Sequence, residues 1–299
     1  MGGRAAALWV LCAIGAAAAD YAGAAACQAC HAAEYESQSK SAHAHALAPS
    51  APGQPGDWAF GAGEQAITFV SRVDREHYRE LSETWFRSLN GFATTPGHRD
   101  RAGVTSRIFD PAARILRCFA CHSTGALSLD SDNRITPGEP GVRCEDCHGP
   151  GAAHVRDPAH NRVRNPAAMA AAQVNALCGQ CHRLLLEDER EAADLHDPRN
   201  ARNQPLWLGA SACFRKSKTG LSCVRCHSPH AALEKSASAY DRACAGCHAA
   251  VRHTQPVATA ACVECHMPAV QLENLAFRNH RIAIYAAGDP VVPVSEKRR

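Results

Sequence analysis

Apolar and polar side chains alternate along Ile67-Thr-Phe69-Val-Ser71-Arg-Val73, a period of two built from β-branched and aromatic residues, which predicts a strand. Trp58-Ala-Phe60 precedes it across the Gly61-Ala-Gly63 turn, and His77-Tyr-Arg79-Glu-Leu81 follows the polar Asp74-Arg75 turn. Together these segments predict one small antiparallel meander. The glycine turn is no phosphate cradle, because neither the rest of a G-x-G-x-x-G pattern nor a phosphate-binding lysine follows. Helical composition marks 32–45 (AAEYESQSKSAHAH), an Ala-rich stretch over 157–177 that begins after the Asn165-Pro166 turn, and the charged segment 183–194. Residues 48–56 read as a Pro/Gly/Ser linker, 197–205 as a polar loop, and the Pro-punctuated basic run at the end as a solvated, unstructured terminus.

One apolar run is longer than the rest, Ala5 to Ala19, behind a short basic start ending at Arg4. Ala17-Ala18-Ala19 before Asp20 completes the pattern of a secretory signal peptide over residues 1–19, cleaved near Ala19. Its apolar core is too short to cross a bilayer, and no later segment approaches about 18 uninterrupted apolar residues. The mature chain is therefore expected to be exported and to contain no transmembrane segment. Neither Cys12 nor Cys27 follows a lipobox, so no lipid anchor is expected.

The chemistry lies in a repeated motif, C-x-x-C-H. It occurs seven times: Cys27/Cys30/His31, Cys118/Cys121/His122, Cys144/Cys147/His148, Cys178/Cys181/His182, Cys223/Cys226/His227, Cys244/Cys247/His248 and Cys262/Cys265/His266. This is the attachment signature of c-type haem. Positions i, i+3 and i+4 fall on one face of a helical turn, so two thioether-forming cysteines and one iron-ligating histidine meet a single planar cofactor. A zinc knuckle or a thioredoxin-like C-x-x-C gives no reason for a histidine directly after the second cysteine seven times over. Seven covalently attached haem c groups are expected, and with them a periplasmic location.

Fourteen of the sixteen cysteines belong to these motifs. Cys12 leaves with the signal and Cys213 stands alone, so the mature chain is expected to form no intramolecular disulfide. Cys213 reads most simply as a small buried hydrophobe. The formal charge of +3 falls short of the basic excess that nucleic-acid binding requires. Ferric haems with ionised propionates would bring the holoprotein to roughly −5, which makes arginines natural propionate partners. About 40 mature residues per haem are too few to build an ordinary core around each, so the porphyrins themselves must form the interior. The expected fold class is mainly α with long irregular loops and one small antiparallel β element, packed on haem. Trp85, Phe86 and Phe92 are expected to press the β element against a haem face. The expected organisation after the signal is an N-terminal segment, 20–115, with the first haem and the meander. A haem-dense core over 116–270 and a tail over 271–299 follow it.

Ten histidines lie outside the motifs, enough to give every iron a second imidazole, whereas only Met169 is a free methionine. Bis-histidine ligation is thus expected, with lower potentials than His/Met ligation. The candidate sixth ligands are His43, His154, His230, His253 and His280, then His98 and His77. A residue just after a proximal histidine stays on that side of the ring, so His230 must cap a haem other than the one on His227, and His154 a haem other than the one on His148.

The helix C-x-x-C-H…Ser-x-His-Ala at 27–44, Phe-Gly-Ala-Gly…Thr-Phe-Val at 60–70, Thr-Pro-Gly-His98, Arg117-Cys-Phe-Ala-Cys-His-Ser-Thr-Gly125, Cys147-His-Gly-Pro-Gly-x-x-His154 and Cys265-His-Met-Pro268 resemble bacterial multihaem c-type cytochromes. They look most like the relatives of the tetrahaem cytochrome that accepts electrons from hydroxylamine oxidoreductase. The resemblance implies stacked haem pairs forming an electron wire, with His43 and His154 as sixth ligands. Pentahaem nitrite reductases of the wider superfamily mark their catalytic haem with C-x-x-C-K, and here all seven motifs end in histidine. The expected function is electron transfer between redox partners, such as a membrane quinol oxidase or a periplasmic oxidoreductase. The alternatives are an oxidoreductase acting on a small nitrogen or sulfur species at one open haem, and a haem-filled docking subunit of a respiratory complex.

Overall fold

In the computed structural model, which describes residues 20–98, 107–109, 115–182, 194–217, 220–249, 253 and 261–296, the alternating segment is the third strand of a six-stranded antiparallel sheet. Its strands are β1 Leu47–Pro49, β2 Trp58–Phe60, β3 Ala66–Arg72, β4 Tyr78–Phe86, β5 Gly91–Thr94 and β6 Arg107–Phe109. They run β1-β2-β3-β4-β5, with β6 also on β4. The expected signal peptide and most of the charged segment 183–194 lie outside the described residues.

The sheet is more than the meander the alternation predicts, because β4 is nine residues long and pairs with β6 at one end and β5 at the other. A ladder of buried hydroxyls crosses it: Thr68 Oγ1 to Thr84 Oγ1 and Thr84 Oγ1 to Thr95 Oγ1, both at 2.9 Å, ending on the Leu81 carbonyl. One face carries Leu47, Phe60, Val70 and Tyr78 onto Ile115, Phe119 and Ile135. Phe119 lies inside the second haem motif, on α3 (Leu116–His122), and is fully buried. Trp58 and Phe60 meet its ring edge-on, with centroids 5.4 and 5.0 Å away. The sheet therefore reaches a haem motif through Trp58 and Phe60 and not through the three aromatics expected to do so. Phe86 is buried in the sheet, while Phe92 lies 51 % exposed beside Phe69 on the other face.

The helices are short. Before α3 come α1 (Ala24–Cys27) and α2 (Ala32–Ser39), and after it α4 (Cys144–His148), α5 (Ala152–Arg156), α6 (Ala171–Gly179), α7 (Gln204–Gly209), α8 (Ala212–Lys216), α9 (Asp241–Ala245) and α10 (Cys262–His266). With α6, the longest among the described residues, at nine residues, the mainly helical expectation holds only in part. The helix expected over 32–45 stops at Ser39 because serine hydroxyls take over its backbone groups: Ser39 Oγ donates to the Glu36 carbonyl, and Ser41 Oγ accepts from the Ala44 amide. The Ala-rich 157–177 stretch is irregular to Asn165, whose side chain caps a 3₁₀ turn at Pro166–Ala168 before α6 begins. The expected loop at 197–205 contains the 3₁₀ turn Pro198–Arg202 and the start of α7, which buries Trp207 against Ala201 and Val270 in a second core.

Three two-stranded ribbons complete the sheets: β7 (Ser123–Thr124) with β10 (Glu139–Pro140), β8 (Ser128–Leu129) with β9 (Ile135–Thr136), and β11 (Ala269–Leu272) with β12 (Leu275–Arg278). The tail is folded as far as Glu296, where an unstructured run was expected. Asn279 is fully buried and donates to the Pro290 carbonyl and the Tyr285 hydroxyl, and Arg281 pairs with Glu296. Buried polar groups demand partners, and these hold the tail against β12. No helix among the described residues is long and apolar enough to cross a membrane.

Gly141 matters to the sites that follow. The segment carrying His43 lies against it: Val142 N donates to the His43 carbonyl at 2.8 Å, and Gln38 Nε2 to the Val142 carbonyl at 2.7 Å. A Cβ at Gly141 would fall 2.2 Å from the Ala44 carbonyl oxygen, at a φ of +85°. Gly141→Ala is expected to cost on the order of 3 kcal/mol and to lower the denaturant midpoint accordingly, read by equilibrium unfolding.

Candidate haem sites

Each motif forms a single turn closed by the histidine amide on the first cysteine carbonyl, as in His31 N to Cys27 O at 2.9 Å, His182 N to Cys178 O at 3.0 Å and His248 N to Cys244 O at 2.9 Å. That turn puts two sulfurs and one imidazole on one side. At α4 the turn ends at once, because Gly149, at a φ of +79°, reverses the chain.

Five motif histidines face a second imidazole. The ring centroids are 6.5 Å apart for His31 and His154, 6.0 Å for His43 and His182, 6.0 Å for His148 and His230, 6.2 Å for His227 and His280, and 6.3 Å for His253 and His266. Direct stacking is closer, whereas two imidazoles bound trans to one metal through bonds of about 2 Å have centroids roughly 6.3 Å apart. The donor set fits an iron held between two histidines at each of these sites. His154 stands opposite His31 and His230 opposite His148, so neither faces the motif next to it in sequence.

The Nδ1 atoms explain how these rings are aimed. His148 Nδ1 pairs with the Arg164 carbonyl at 2.9 Å, His154 Nδ1 with Asn161 O at 2.7 Å, His266 Nδ1 with Ala283 O at 2.8 Å and His280 Nδ1 with Arg278 O at 2.9 Å. A carbonyl partner fixes the proton on Nδ1 and leaves Nε2 as a ligand. Burial lowers the pKa of His43, His148, His182 and His227, and takes His280 down to about 4. These rings are neutral at pH 7, the form that binds metal.

His122 has the same seat, with Nδ1 on the Ala46 carbonyl at 2.8 Å, and burial lowers its pKa. Its ring contact is Phe60, with centroids 5.3 Å apart. Among the described residues, neither His122 nor His248 has a ring contact with a second imidazole. His98 and His77 both lie beside carboxylates, His98 through Nε2 and His77 through Nδ1. His98 is buried in the sheet with Nε2 on Glu80 Oε2 at 2.7 Å, and His77 Nδ1 lies 2.9 Å from Asp74 Oδ1. Both histidines thus belong to acid–imidazole pairs within the β region. His160 pairs with Asp157 and His196 with Glu296.

The cysteines join the motifs to one another. Thiols are in hydrogen-bond contact between Cys27 and Cys144, Cys121 and Cys181, Cys178 and Cys223, and Cys244 and Cys262. Burial, with Cys144 beside it, pushes Cys27 up to about 11, and the Cys181 hydrogen bond holds Cys121 at about 7. Cys147 lies within electrostatic reach of Cys178, and Cys226 of Cys244. Cys213, on α8, is half-buried, and burial raises its pKa, as for a packed thiol.

Six motif cysteines, Cys30, Cys181, Cys226, Cys247, Cys262 and Cys265, stand at the surface of the polypeptide, where a covalently attached ring would cover them. Their turns are formed, with Cys30 N on Cys27 O at 3.3 Å and Cys247 N on Cys244 O at 3.1 Å. Cys27 and Cys244, both half-buried, meet Cys144 and Cys262 of neighbouring motifs. Cys247 still lies within electrostatic reach of Cys213. Cys118, by contrast, packs against the sheet's core beside Phe119.

Two supporting residues escaped sequence reasoning. Arg164 donates through Nε to Cys147 O at 2.7 Å and through Nη2 to Asp146 O at 3.1 Å, covering the last carbonyls of α4. Its positive charge offsets part of the burial that lifts the Asp146 carboxyl to about 6. Glu145, 4 % exposed, accepts from the amides of Ala22, Gly23 and Gly151 at 2.9, 2.8 and 2.6 Å. No periodicity marks Arg164, although an acid between the two cysteines of a haem motif was a visible oddity.

A family model described as cytochrome c554 and c-prime matches residues 85–149, less than a quarter of the chain. No curated protein matches. Two solved structures share the fold. The outer cell wall cytochrome OcwA superposes with a TM-score of 0.60 at 16 % identity, over 88 % of this chain and 79 % of that one. The undecaheme cytochrome from the S-layer of Carboxydothermus ferrireducens gives 0.54 at 19 % identity, over 89 % of this chain, which spans 52 % of that one. The fold is that of multihaem cytochromes. The likeness does not single out the hydroxylamine oxidoreductase branch.

Arg164→Ala removes two hydrogen bonds from α4, each worth about 1 kcal/mol. Equilibrium unfolding should show a loss of about 1–2 kcal/mol by that estimate, with Arg164→Lys recovering only part because it lacks the guanidinium fork.

Proposed function

We propose that this chain is an exported c-type cytochrome holding seven covalent haems, and that it passes electrons between redox partners through a line of mostly bis-histidine sites. The observation that carries the reading is the set of five opposed imidazole pairs at 6.0 to 6.5 Å, each with one ring in a C-x-x-C-H turn. The bound cofactor supplies one-electron chemistry. Five of the motif histidines and their facing imidazoles would hold the irons, and backbone carbonyls keep four of these rings aimed. At the five sites with paired histidines an iron would have no position left for a substrate, which favours a carrier; His122 and His248 lack such a pairing among the described residues.

The sulfur contacts order the motifs in space. The first pairs with the third and the fourth with the fifth, and the sixth pairs with the seventh. Cys147 feels the charge of Cys178 and Cys244 that of Cys226, which supports joining these pairs into one line, and the Cys121–Cys181 contact supports a second motif next to the fourth. The line runs from 20–115 through the 116–270 core to the 271–299 tail, whose His280 closes the fifth site. The neighbours' names place those proteins in a cell wall and an S-layer, which supports export. A periplasmic location and transient docking to redox proteins at exposed haem edges complete the proposal.

Intact mass and a pyridine haemochrome assay are expected to give seven haems per chain, and the ferric protein to be dominated by low-spin signals. A mass without haem ends this reading, and stoichiometric carbon monoxide binding on reduction would transfer it to the open-site oxidoreductase. Single variants sharpen the test. His154→Ala and His280→Ala should each convert one low-spin haem to a form that binds carbon monoxide, whereas His98→Ala and His77→Ala should leave the low-spin count unchanged.

A further inference from the structure

Two polar side chains sit at the same offset from two different haem motifs and do the same thing. Asn175 lies on α6 three residues before Cys178, and Asp241 opens α9 three residues before Cys244. Asn175 Oδ1 accepts the Cys223 amide at 3.0 Å and the Cys223 thiol at 3.2 Å, while its Nδ2 donates to the Leu221 carbonyl at 2.9 Å. Asp241 Oδ1 accepts the Cys262 amide at 2.9 Å, and the Cys262 thiol is also hydrogen-bonded to Asp241. In each case the target is the first cysteine of the motif that follows.

Helix geometry gives the offset its meaning. Residues i and i+3 share a face, so an acceptor three positions before a first cysteine points the same way as that cysteine. Gripping the next motif's first cysteine by its amide therefore brings two first cysteines together, and the Cys178–Cys223 and Cys244–Cys262 thiol contacts are the result. Asn175 is only 8 % exposed, and its carbonyl and amide are both used. An incidental loop bond would share neither the offset nor the double grip on amide and sulfur at two separate places.

We propose that Asn175 and Asp241 are positioning residues, each locking the first cysteine of one haem motif onto the helix of its neighbour and so fixing the contact between two haem edges. The fourth and fifth haems form one locked pair and the sixth and seventh the other. The inference rests on the reading of the chain as a haem wire, and adds which side chains set its spacing. The sulfur–hydrogen bond vanishes when the thioether forms, but the amide bond remains, so the lock persists in the holoprotein.

The test uses the exported holoprotein, with haem count by intact mass and the Soret circular-dichroism couplet that close haem pairs produce. Asn175→Ala should keep seven haems and lose the couplet contribution of one pair, and Asp241→Ala should lose that of another. The double variant should lose both additively, the two sites being independent. Exchanging each residue for the other's type, Asn175→Asp and Asp241→Asn, keeps the acceptor oxygen and should restore the wild-type couplet. Should an alanine variant fail to accumulate, Asn175→Ser and Asp241→Ser shorten the acceptor and are expected to reduce the same contribution. An unchanged couplet in the alanine or serine variants with seven haems bound overturns the inference, as does an equal loss in the exchanged variants. A wild-type chain without haem overturns the functional reading instead.

Discussion

Under the proposed reading, two imidazoles that face each other across the width of one metal ion would constrain the chain much as a disulfide does: few positions satisfy the geometry, and those that do would be tied together. Here the tied positions are far apart in sequence. His31 faces His154 and His43 faces His182, so two closures each span more than a hundred residues. His148 with His230 and His227 with His280 close two more, the second reaching into the tail. With only two buried clusters of ordinary hydrophobic side chains among the described residues, these closures take over the organising role that a continuous core has in other folds.

A constraint of that kind is only as good as the aim of its rings. An imidazole on a single bond from Cβ can swing, and the carbonyls that hold Nδ1 stop it. The irregular stretch 157–165 holds two at once, because Asn161 O seats His154 and Arg164 O seats His148. Those two rings belong to the first and third sites, which the Cys27–Cys144 contact already brings together. One loop therefore sets the orientation of ligands at two neighbouring sites, and its irregularity is explained: a helix would have used those carbonyls internally.

The C-x-x-C-H turns were legible because three side chains on one helical face leave a fixed spacing. His154 and His230 could be assigned away from their sequence neighbours by the same local geometry. Which distant motif each one faces could not be read, since that depends on how segments separated by loops come together. Nor does the spacing tell an inward sulfur from an outward one: Cys27 and Cys30 look equivalent in sequence, and only the arrival of Cys144 separates them. His98 and His77 show the limit from the other side. In sequence they look like any spare histidine; the carboxylate on His98 Nε2 is brought in by folding, Glu80 on β4, while His77 meets Asp74 three residues before it. The sheet was under-read for a similar reason. β1 and β5 are too short to show a period; β5 forms on the edge that nine-residue β4 offers, and β1 on β2, which β3 holds in place. The tail was misread because composition weighs its prolines and charges, whereas its fate is decided by Asn279 and Arg281 finding buried partners.

Order along the chain and order in space differ, and the difference follows from motif spacing. The sixth and seventh motifs are eighteen residues apart, and their contact is local. The first and second are ninety-one apart, and the sheet that fills this interval carries the second motif away on Phe119. That leaves the side of the first motif free for the third, which Glu145 secures by gripping the amides of Ala22 and Gly23. A β element inserted between two attachment sites thus displaces the second motif from the line and sets it beside the fourth. Shortening that insertion would not simply bring the first two haems closer. It would remove the Trp58 and Phe60 wall from Phe119 and release the second motif altogether, so the sheet is needed less as a spacer than as the scaffold of a branch.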